Sequence, residues 1–209
     1  MKLLIVDDHP IVRDGLRRLL AARPEIALSE AATGEEALAL CKSLRPQLVI
    51  LDLNLPGIGG LELIGRLKAE DAALRVLVLS MHDNLVYVTR ALQAGAQGYV
   101  SKQAPPEQIL EAIARLARGQ TYIEHRMAEE LALQNIRPSA HPLHDLSRRE
   151  LEILRLLGEG CSLPQIGTTL GVSYKTVANT CSQIKTKLGV ARTADLIRIA
   201  VQNCVAPAR

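Results

Sequence analysis

The sequence predicts a protein of two domains: an α/β domain built on a doubly wound, five-stranded parallel sheet, and then an all-α domain of four helices. Two observations support this fold class. In residues 1–120, short aliphatic runs alternate with segments whose apolar residues recur at helical spacing, which is typical of α/β domains. From Leu146 onward the pattern is helical, without a strand-like run. A chain of 209 residues has room for two domains of ordinary size.

The predicted strands are short and strongly apolar. Three runs, Leu3 to Val6, Leu48 to Leu51 and Val76 to Leu79, contain only apolar residues. A strand that is buried on both faces has this composition, so helices are expected on both sides of the sheet. In chain order, the predicted strands are 2–6, 26–30, 47–51, 75–79 and 98–100, and the predicted helices are 11–22, 35–44, 61–69, 84–94 and 106–118.

The periodicity weakens after Gly119, which marks the end of the first domain. Residues 121–145 are predicted to be a linker with a short helix at 125–134, because the run Pro138-Ser139-Ala140-His141-Pro142 is typical of a loop. Ser147 and Glu150 have the spacing of a helix capping box. The domains are therefore predicted as 1–120 and 146–209, the second with helices at 148–158, 163–170, 174–188 and 192–202.

The composition excludes several classes of protein. Four Tyr with neither Phe nor Trp are too few aromatic rings for a protein that binds nucleic acid by stacking bases. The four cysteines form no C-x-x-C pair, which favours buried thiols in a reducing compartment. No stretch approaches the ~20 apolar residues of a membrane span, so we expect a cytoplasmic protein.

The net charge of +3 is unevenly distributed. Residues 1–120 contain equal numbers of basic and acidic residues, whereas residues 161–209 contain six Lys and Arg against Asp195 alone. A basic segment joined to a neutral one indicates that the carboxyl-terminal part meets a polyanion. A solvated helical surface without a partner is the alternative that charge alone leaves open.

Polar and charged side chains follow the predicted strands. Asp7 and Asp8 follow the first strand, Asp52 the third, Ser80 the fourth, and Lys102 lies just after the fifth. The carboxyl ends of the strands form the ligand-binding edge of an open α/β sheet. Three close carboxylates need an offsetting cation or a shared proton, and Mg²⁺ prefers such oxygen ligands. A carboxylate can accept a phosphoryl group as the nucleophile, while a metal ion and a lysine neutralise the transferring group.

Residues 1–120 resemble the receiver domain of two-component response regulators, which has a flavodoxin-like fold. The motifs that carry the resemblance are Val6-Asp7-Asp8-His9-Pro10, Leu51-Asp52-Leu53-Asn54-Leu55-Pro56-Gly57, Ser80, and Lys102 after Gly98-Tyr99-Val100-Ser101.

The resemblance assigns a role to each of these residues. It implies that Asp52 accepts a phosphoryl group from a sensor histidine kinase. It implies a Mg²⁺ site made by Asp8, Asp52 and the main-chain carbonyl of Asn54, with Asp7 acting through water. Lys102 and Ser80 are then expected to bind the phosphoryl oxygens, and Tyr99 to swing inward behind Ser80.

The second and third helices of the carboxyl-terminal domain have the pattern of a helix-turn-helix. Gly171-Val172-Ser173 is a short glycine-containing turn, and Ser173 is a predicted N-cap for residues 174–188. The inner face of that helix is predicted to be Val177, Cys181, Ile184 and Leu188. Its outer face offers groups that contact phosphates and base edges; the candidate DNA-binding residues are Lys175, Thr176, Asn179, Ser182, Gln183 and Lys185.

Residues 145–202 resemble the LuxR-type domain of regulators of the NarL/FixJ class. The matching segments are Leu146-Ser147-Arg148-Arg149-Glu150-Leu151-Glu152-Ile153-Leu154, Leu170-Gly171-Val172-Ser173, Lys175-Thr176-Val177 and Lys187-Leu188-Gly189-Val190. The resemblance implies binding of paired sites on double-stranded DNA by a homodimer. Many such domains have Lys where Ala178 stands, so we expect fewer phosphate contacts than is usual.

Two other functions are compatible with parts of the sequence. A phosphohydrolase of the haloacid-dehalogenase kind also uses an Asp at a strand end with Mg²⁺, but it needs a second acid two residues later, where this chain has Asn54. A DNA-binding regulator whose receiver is a phosphorylation-independent scaffold would share all the carboxyl-terminal features. The sequence favours phosphorylation-controlled DNA binding, with accompanying changes in dimerisation, over both.

Overall fold

In the computed structural model, the described residues are 1–81, 84–136, 143 and 145–202. They form two compact units. The first contains Met1–Met81 and Val88–Glu129, and the second contains the remaining described residues, including the last four helices. Parts of the predicted linker, and the end of the chain after residue 202, lie outside the described residues.

Strands and helices alternate over the described residues up to 136, as the sequence predicted for residues 1–120. Each predicted element is present, and its bounds differ from the prediction by at most two residues. In chain order the elements are β1 (Lys2–Val6), α1 (Pro10–Leu20), β2 (Ala27–Ala31), α2 (Gly34–Leu44), β3 (Leu48–Leu51), α3 (Gly60–Glu70), β4 (Arg75–Ser80), α4 (Leu85–Ala94), β5 (Gly98–Ser101), α5 (Pro106–Ala117), β6 (Tyr122–Ile123) and α6 (His125–Ile136).

The sheet has six parallel strands in the order β2-β1-β3-β4-β5-β6. The sequence predicted five, so the strand count was wrong by one. The additional strand β6 pairs with β5 through Gly98 and Tyr122, and through Tyr99 and Ile123. Two residues are too few to produce a recognisable alternation, and β6 lies within the segment that we predicted to be a linker.

The apolar strands are buried on both faces, which confirms the doubly wound prediction. Leu3 and Ile5 of β1 pack in one cluster with residues of α1 and α5, including Leu16 and Ile113. Leu4 and Val6, which alternate with them and point to the opposite face, are equally buried. Because these strands are parallel, the carboxyl ends of β1, β3, β4 and β5 all lie at the same edge of the sheet.

The helices of the second unit are α7 (Arg148–Gly158), α8 (Leu163–Thr169), α9 (Tyr174–Leu188) and α10 (Thr193–Gln202). Ser147 caps α7 in a capping box with Glu150, and the Ser173 hydroxyl accepts a hydrogen bond from the Thr176 backbone N–H at the start of α9. Both caps were predicted. Among the described residues, no helix is long and apolar enough to span a bilayer.

Candidate functional site

Three carboxylates and one lysine meet at the carboxyl edge of the sheet. Asp7 and Asp8 follow β1, and Asp52 follows β3, where its backbone N–H donates to the Val6 carbonyl at 2.9 Å. The Lys102 Nζ lies 2.7 Å from Asp7 Oδ2 and 2.7 Å from Asp52 Oδ2. The Lys102 ammonium, which lies just after β5, therefore bridges the carboxylates that follow β1 and β3.

The environment of Asp52 disfavours its negative charge. Its side chain is only 1% exposed. Burial raises the pKa of Asp52 above its usual value, and although Lys102 lowers this pKa, the net shift is upward. Burial lowers the pKa of Lys102, but the adjacent Asp52 and Asp7 carboxylates raise it by more. The lysine therefore stays charged between carboxylates that it only partly neutralises.

Two carboxylate oxygens in this cluster have no hydrogen-bond partner among the described residues. They are Asp8 Oδ1 and Asp52 Oδ1, and both atoms are buried. Buried polar atoms are nearly always paired; Asp8 Oδ1 lies 2.7 Å from His9 Nδ1 in an ion pair, whereas Asp52 Oδ1 is left available to a ligand. Ligand atoms of Asp7, Asp8, His9 and Asp52 all lie within 4.8 Å of one another. The cluster could hold a metal ion.

The structure places the other predicted residues of this site in β4, in β5 and in the loop after β3. Ser80 is the last residue of β4 and is fully buried. Its carbonyl accepts a hydrogen bond from the Lys102 backbone N–H at 2.9 Å. Asn54 lies in the loop between β3 and α3, two residues after Asp52. Tyr99 lies in β5 with its side chain completely buried.

The exposed face of α9 presents a second set of candidate residues. Val177, Cys181 and Ile184 are buried as predicted, whereas Leu188 is only half-buried, at the last residue of the helix. The predicted outer residues are exposed at Lys175, Thr176, Asn179, Ser182 and Gln183, and half-buried at Lys185.

The hydroxyl groups on α9 donate to the helix itself. Thr180 Oγ1 donates to the Thr176 carbonyl at 2.9 Å, Ser182 Oγ to the Ala178 carbonyl at 3.1 Å, and Thr186 Oγ1 to the Ser182 carbonyl at 3.1 Å. Because a hydroxyl has a single proton, each of these groups is left to act as an acceptor. These hydroxyl oxygens can accept hydrogen bonds from donor groups on base edges. Phosphate oxygens are themselves acceptors, so on α9 the lysines are the groups that can bind them.

The lysines of α9 have different environments. Lys187 Nζ lies 2.7 Å from Glu150 Oε2 and also donates to the Asp145 carbonyl at 3.2 Å, so it fixes α9 against the start of α7. In the described part of the chain, no partner is found for the side chains of Lys175 and Lys185. The cationic groups that α9 can offer to a polyanion are therefore these two.

Two family models match the chain. Residues 3–114 match the response regulator receiver domain, and residues 144–200 match the bacterial regulatory proteins of the luxR family. The first match alone spans more than half of the sequence. The chain belongs to the two-component response regulators, in the NarL/FixJ class.

Curated relatives agree with this family over nearly the whole chain. The transcriptional activator protein ExaE of Pseudomonas putida is 40% identical, with 97% of this chain and 96% of that protein covered. The response regulator UvrY of Escherichia coli (strain K12) is 34% identical, with 97% and 94% covered. Such relatives are transcription regulators rather than enzymes.

Solved structures of RcsB from Salmonella have the same fold. One, described by its conformational dynamism for DNA interaction, is 28% identical with a TM-score of 0.78 and covers 97% of this chain and 98% of its own. Another, of RcsB bound to promoter rprA in the presence of the phosphomimetic BeF3-, is 28% identical with a TM-score of 0.72, covering 96% and 98%.

Two residues that position the sites of this response regulator were missed by the sequence analysis. Gly60 begins α3, and a Cβ atom there would lie 2.6 Å from the Asp52 carbonyl oxygen and 2.5 Å from Leu53 Cα, so only glycine lets α3 approach the Asp52 loop so closely. Arg149 Nη2 donates to the Leu170 carbonyl at 2.7 Å and holds the end of α8. Both roles depend on tertiary contacts that leave no local pattern in the sequence.

Proposed function

We propose that Asp52 is the phosphoacceptor of this response regulator and that a sensor histidine kinase is its donor. The observation that carries the proposal is the Asp52 carboxylate itself, buried at the sheet edge with Oδ2 held by Lys102 and Oδ1 without a hydrogen-bond partner among the described residues. In the transfer, a bond forms between an Asp52 oxygen and phosphorus, and the bond from phosphorus to the donor breaks, with its electron pair leaving on the donor.

The residues around Asp52 fit a Mg²⁺ ion. Asp8, Asp52 and the main-chain carbonyl of Asn54 would bind it, with Asp7 acting through water. The buried Asp52 Oδ1, which has no hydrogen-bond partner among the described residues, supports this assignment, as does the preference of Mg²⁺ for oxygen ligands. When bound, Mg²⁺ supplies positive charge that offsets the phosphoryl oxygens.

The remaining side chains bind and orient the phosphoryl group. Lys102 already contacts Asp52 and Asp7, so its ammonium can move to a phosphoryl oxygen without a large displacement. The Ser80 hydroxyl, at the end of the neighbouring strand, would donate to another of these oxygens, and the buried Tyr99 would swing inward behind it. The receiver catalyses only its own phosphorylation and dephosphorylation and does not turn over an external substrate.

We further propose that phosphorylation changes dimerisation and promoter binding by the carboxyl-terminal domain. Solved relatives support this step, since RcsB binds promoter DNA in the presence of a phosphomimetic and as dimers on two parallel DNAs. Lys175, Thr176 and Asn179 in the first turns of α9, followed by Ser182, Gln183 and Lys185, would contact the DNA. A protein that joins promoter DNA to a kinase signal works in the bacterial cytoplasm.

Intact-mass measurement after incubation with acetyl phosphate and Mg²⁺ tests the acceptor assignment. We expect a phosphoryl adduct on the wild type that is absent with EDTA and absent from Asp52→Asn. The matched control is Asp14→Asn, which removes an exposed carboxylate of α1 that pairs with Arg17 and should leave the adduct unchanged. A wild type that gains no adduct, or an Asp52→Asn variant that still gains one, would contradict the assignment and favour a scaffold role for the receiver.

A further inference from the structure

Asn179 lies in the second turn of α9, on the face opposite the core of the carboxyl-terminal domain. Val177, Cys181 and Ile184 are buried on one face of this helix, and at about 3.6 residues per turn Asn179 points away from all three. Its side chain is exposed, and no hydrogen-bond partner is found for its amide among the described residues. The NH₂ donor and the carbonyl acceptor of the amide are therefore both available to a ligand.

Ser182 lies three residues after Asn179 and therefore on the same side of the helix. It is exposed, but its hydroxyl proton is used in the 3.1 Å hydrogen bond to the Ala178 carbonyl. The hydroxyl oxygen can consequently only accept a hydrogen bond from a ligand. This side of α9 thus combines an amide that both donates and accepts with a hydroxyl that only accepts.

The four bases differ in what their major-groove edges offer to these groups. Adenine has the N7 acceptor beside the N6 amino donor, which together match both halves of an asparagine amide. Guanine has two acceptors, N7 and O6, so it leaves the Asn179 carbonyl without a donor and places an acceptor near the Ser182 oxygen. Cytosine offers a donor alone, and thymine an acceptor and a methyl group. Adenine is therefore the base that satisfies the whole Asn179 amide.

The rest of α9 also favours an A·T pair over a G·C pair. The helix contains no arginine, although arginine and lysine make the commonest specific contact with guanine. Lys175, which is exposed in the first turn, is thus the competing candidate for reading guanine. Ala178, the neighbour of Asn179, ends in a methyl group, and alanine is among the side chains that contact the methyl group of thymine.

We infer that Asn179 reads one adenine in each half-site of the DNA and sets the preference for an A·T pair at that position. The Asn179 amide NH₂ donates to adenine N7, and adenine N6–H donates to the Asn179 carbonyl. Recognition helices contact base edges with residues near their N-terminus, which is where Asn179 lies. Lys175 and Lys185 contact phosphates, which adds affinity without base preference. This inference rests on the proposed function, because it requires that α9 binds DNA.

Selection from a pool of double-stranded DNA tests the inference on the full chain treated with acetyl phosphate and Mg²⁺. A pool with about 25 random base pairs accommodates two half-sites one helical turn apart. We expect the wild type to enrich sites with a fixed A·T pair in each half-site. Asn179→Ala should enrich otherwise similar sites in which that pair is random, and Asn179→Arg should enrich guanine there, because arginine pairs with guanine O6 and N7. Asn179 is exposed, so both substitutions are compatible with folding.

The matched control is Gln183→Ala, which removes an exposed amide one turn later in α9 and should leave the fixed A·T pair in place. On a selected site, exchange of that pair for G·C in one half-site should weaken binding by the wild type about tenfold or more, and binding by Asn179→Ala less than about twofold.

The inference is overturned if Asn179→Ala enriches the same fixed pairs as the wild type, or if the position that depends on Asn179 is not an A·T pair. Loss of the A·T preference in Gln183→Ala or Lys175→Met, with Asn179→Ala unaffected, would assign the reading to another residue. A wild type that enriches no sequence at all would instead contradict the proposed promoter binding, and the inference with it.

Discussion

At the scale of single residues, the balance of charge around Asp52 affects both the stability of the receiver and its affinity for cations. Asp7 and Asp52 share one ammonium, that of Lys102, at 2.7 Å from each carboxylate. This arrangement leaves net negative charge in a buried place, which opposes folding unless a cation or a proton offsets it. Under the proposed function, the same imbalance favours binding of a divalent ion and leaves an Asp52 oxygen available as the nucleophile.

Removal of the Asp52 charge should therefore stabilise the metal-free receiver. Asp52→Asn is expected to raise the free energy of unfolding in EDTA at pH 7. The pKa of Asp52 is raised in the folded state from 3.8, so its ionised form opposes folding at neutral pH, and this cost disappears as the pH falls below the unfolded value. The difference in the free energy of unfolding between Asp52→Asn and the wild type should therefore decrease as the pH falls from 7 to 4.

Urea unfolding of both proteins at several pH values measures this difference. Asp14→Asn, in the exposed pair with Arg17, serves as the control and should change stability little. An Asp52→Asn variant that is less stable than the wild type at pH 7 in EDTA would contradict this prediction. It would show that the attraction between Lys102 and the Asp52 carboxylate exceeds the free-energy cost of burying that carboxylate.

At the scale of elements, α9 separates residues that hold the helix in place from residues that face solvent. Val177, Cys181 and Ile184 are buried, and burial raises the pKa of the Cys181 thiol, which fits an unreactive core residue. Glu150 is buried at the start of α7, and although burial raises its pKa, the hydrogen bond from Lys187 and the Ser147 cap lower it by more. Lys187 thus belongs to the framework of the domain.

The two lysines near the end of α9 should respond differently to removal of their charge. Lys185→Met is expected to lower the slope of log affinity against log salt for DNA by about one unit and to leave stability nearly unchanged. Lys187→Met should instead destabilise the domain, because it leaves the buried Glu150 carboxylate without its cation. Salt-dependent DNA binding and thermal unfolding of both variants provide the measurement. A reversed pattern would mean that Lys187 contacts the DNA.

The elements that the sequence predicted are those with a strong local signal. The wholly apolar run of Leu48 to Leu51, the capping box of Ser147 and the left-handed Gly171 (φ +64°) each depend on a few neighbouring residues. The strand β6 was missed because its two residues are recognised only through their pairing with β5. The closeness of Gly60 to Asp52 depends on the folded chain in the same way.

At the scale of the whole molecule, the receiver domain is electrically neutral, whereas the DNA-binding domain carries a net positive charge. Residues 161–209 contain six Lys and Arg against one Asp, but part of this charge is neutralised within the domain, as at Lys187 with Glu150. With only Lys175 and Lys185 free of described partners on α9, a single copy should bind DNA weakly. A dimer makes twice as many of these contacts with DNA, so a change in dimerisation would change the affinity for the promoter.

The affinity of the full chain for a DNA fragment selected from its own genome, measured with and without acetyl phosphate and Mg²⁺, tests this coupling most directly. The account predicts that phosphorylation tightens binding by a factor in the range of about 5 to 150, which is typical of coupling between two sites, and that Asp52→Asn shows no such gain. Equal affinities for wild type and Asp52→Asn under both conditions would contradict phosphorylation control and leave the receiver as a scaffold.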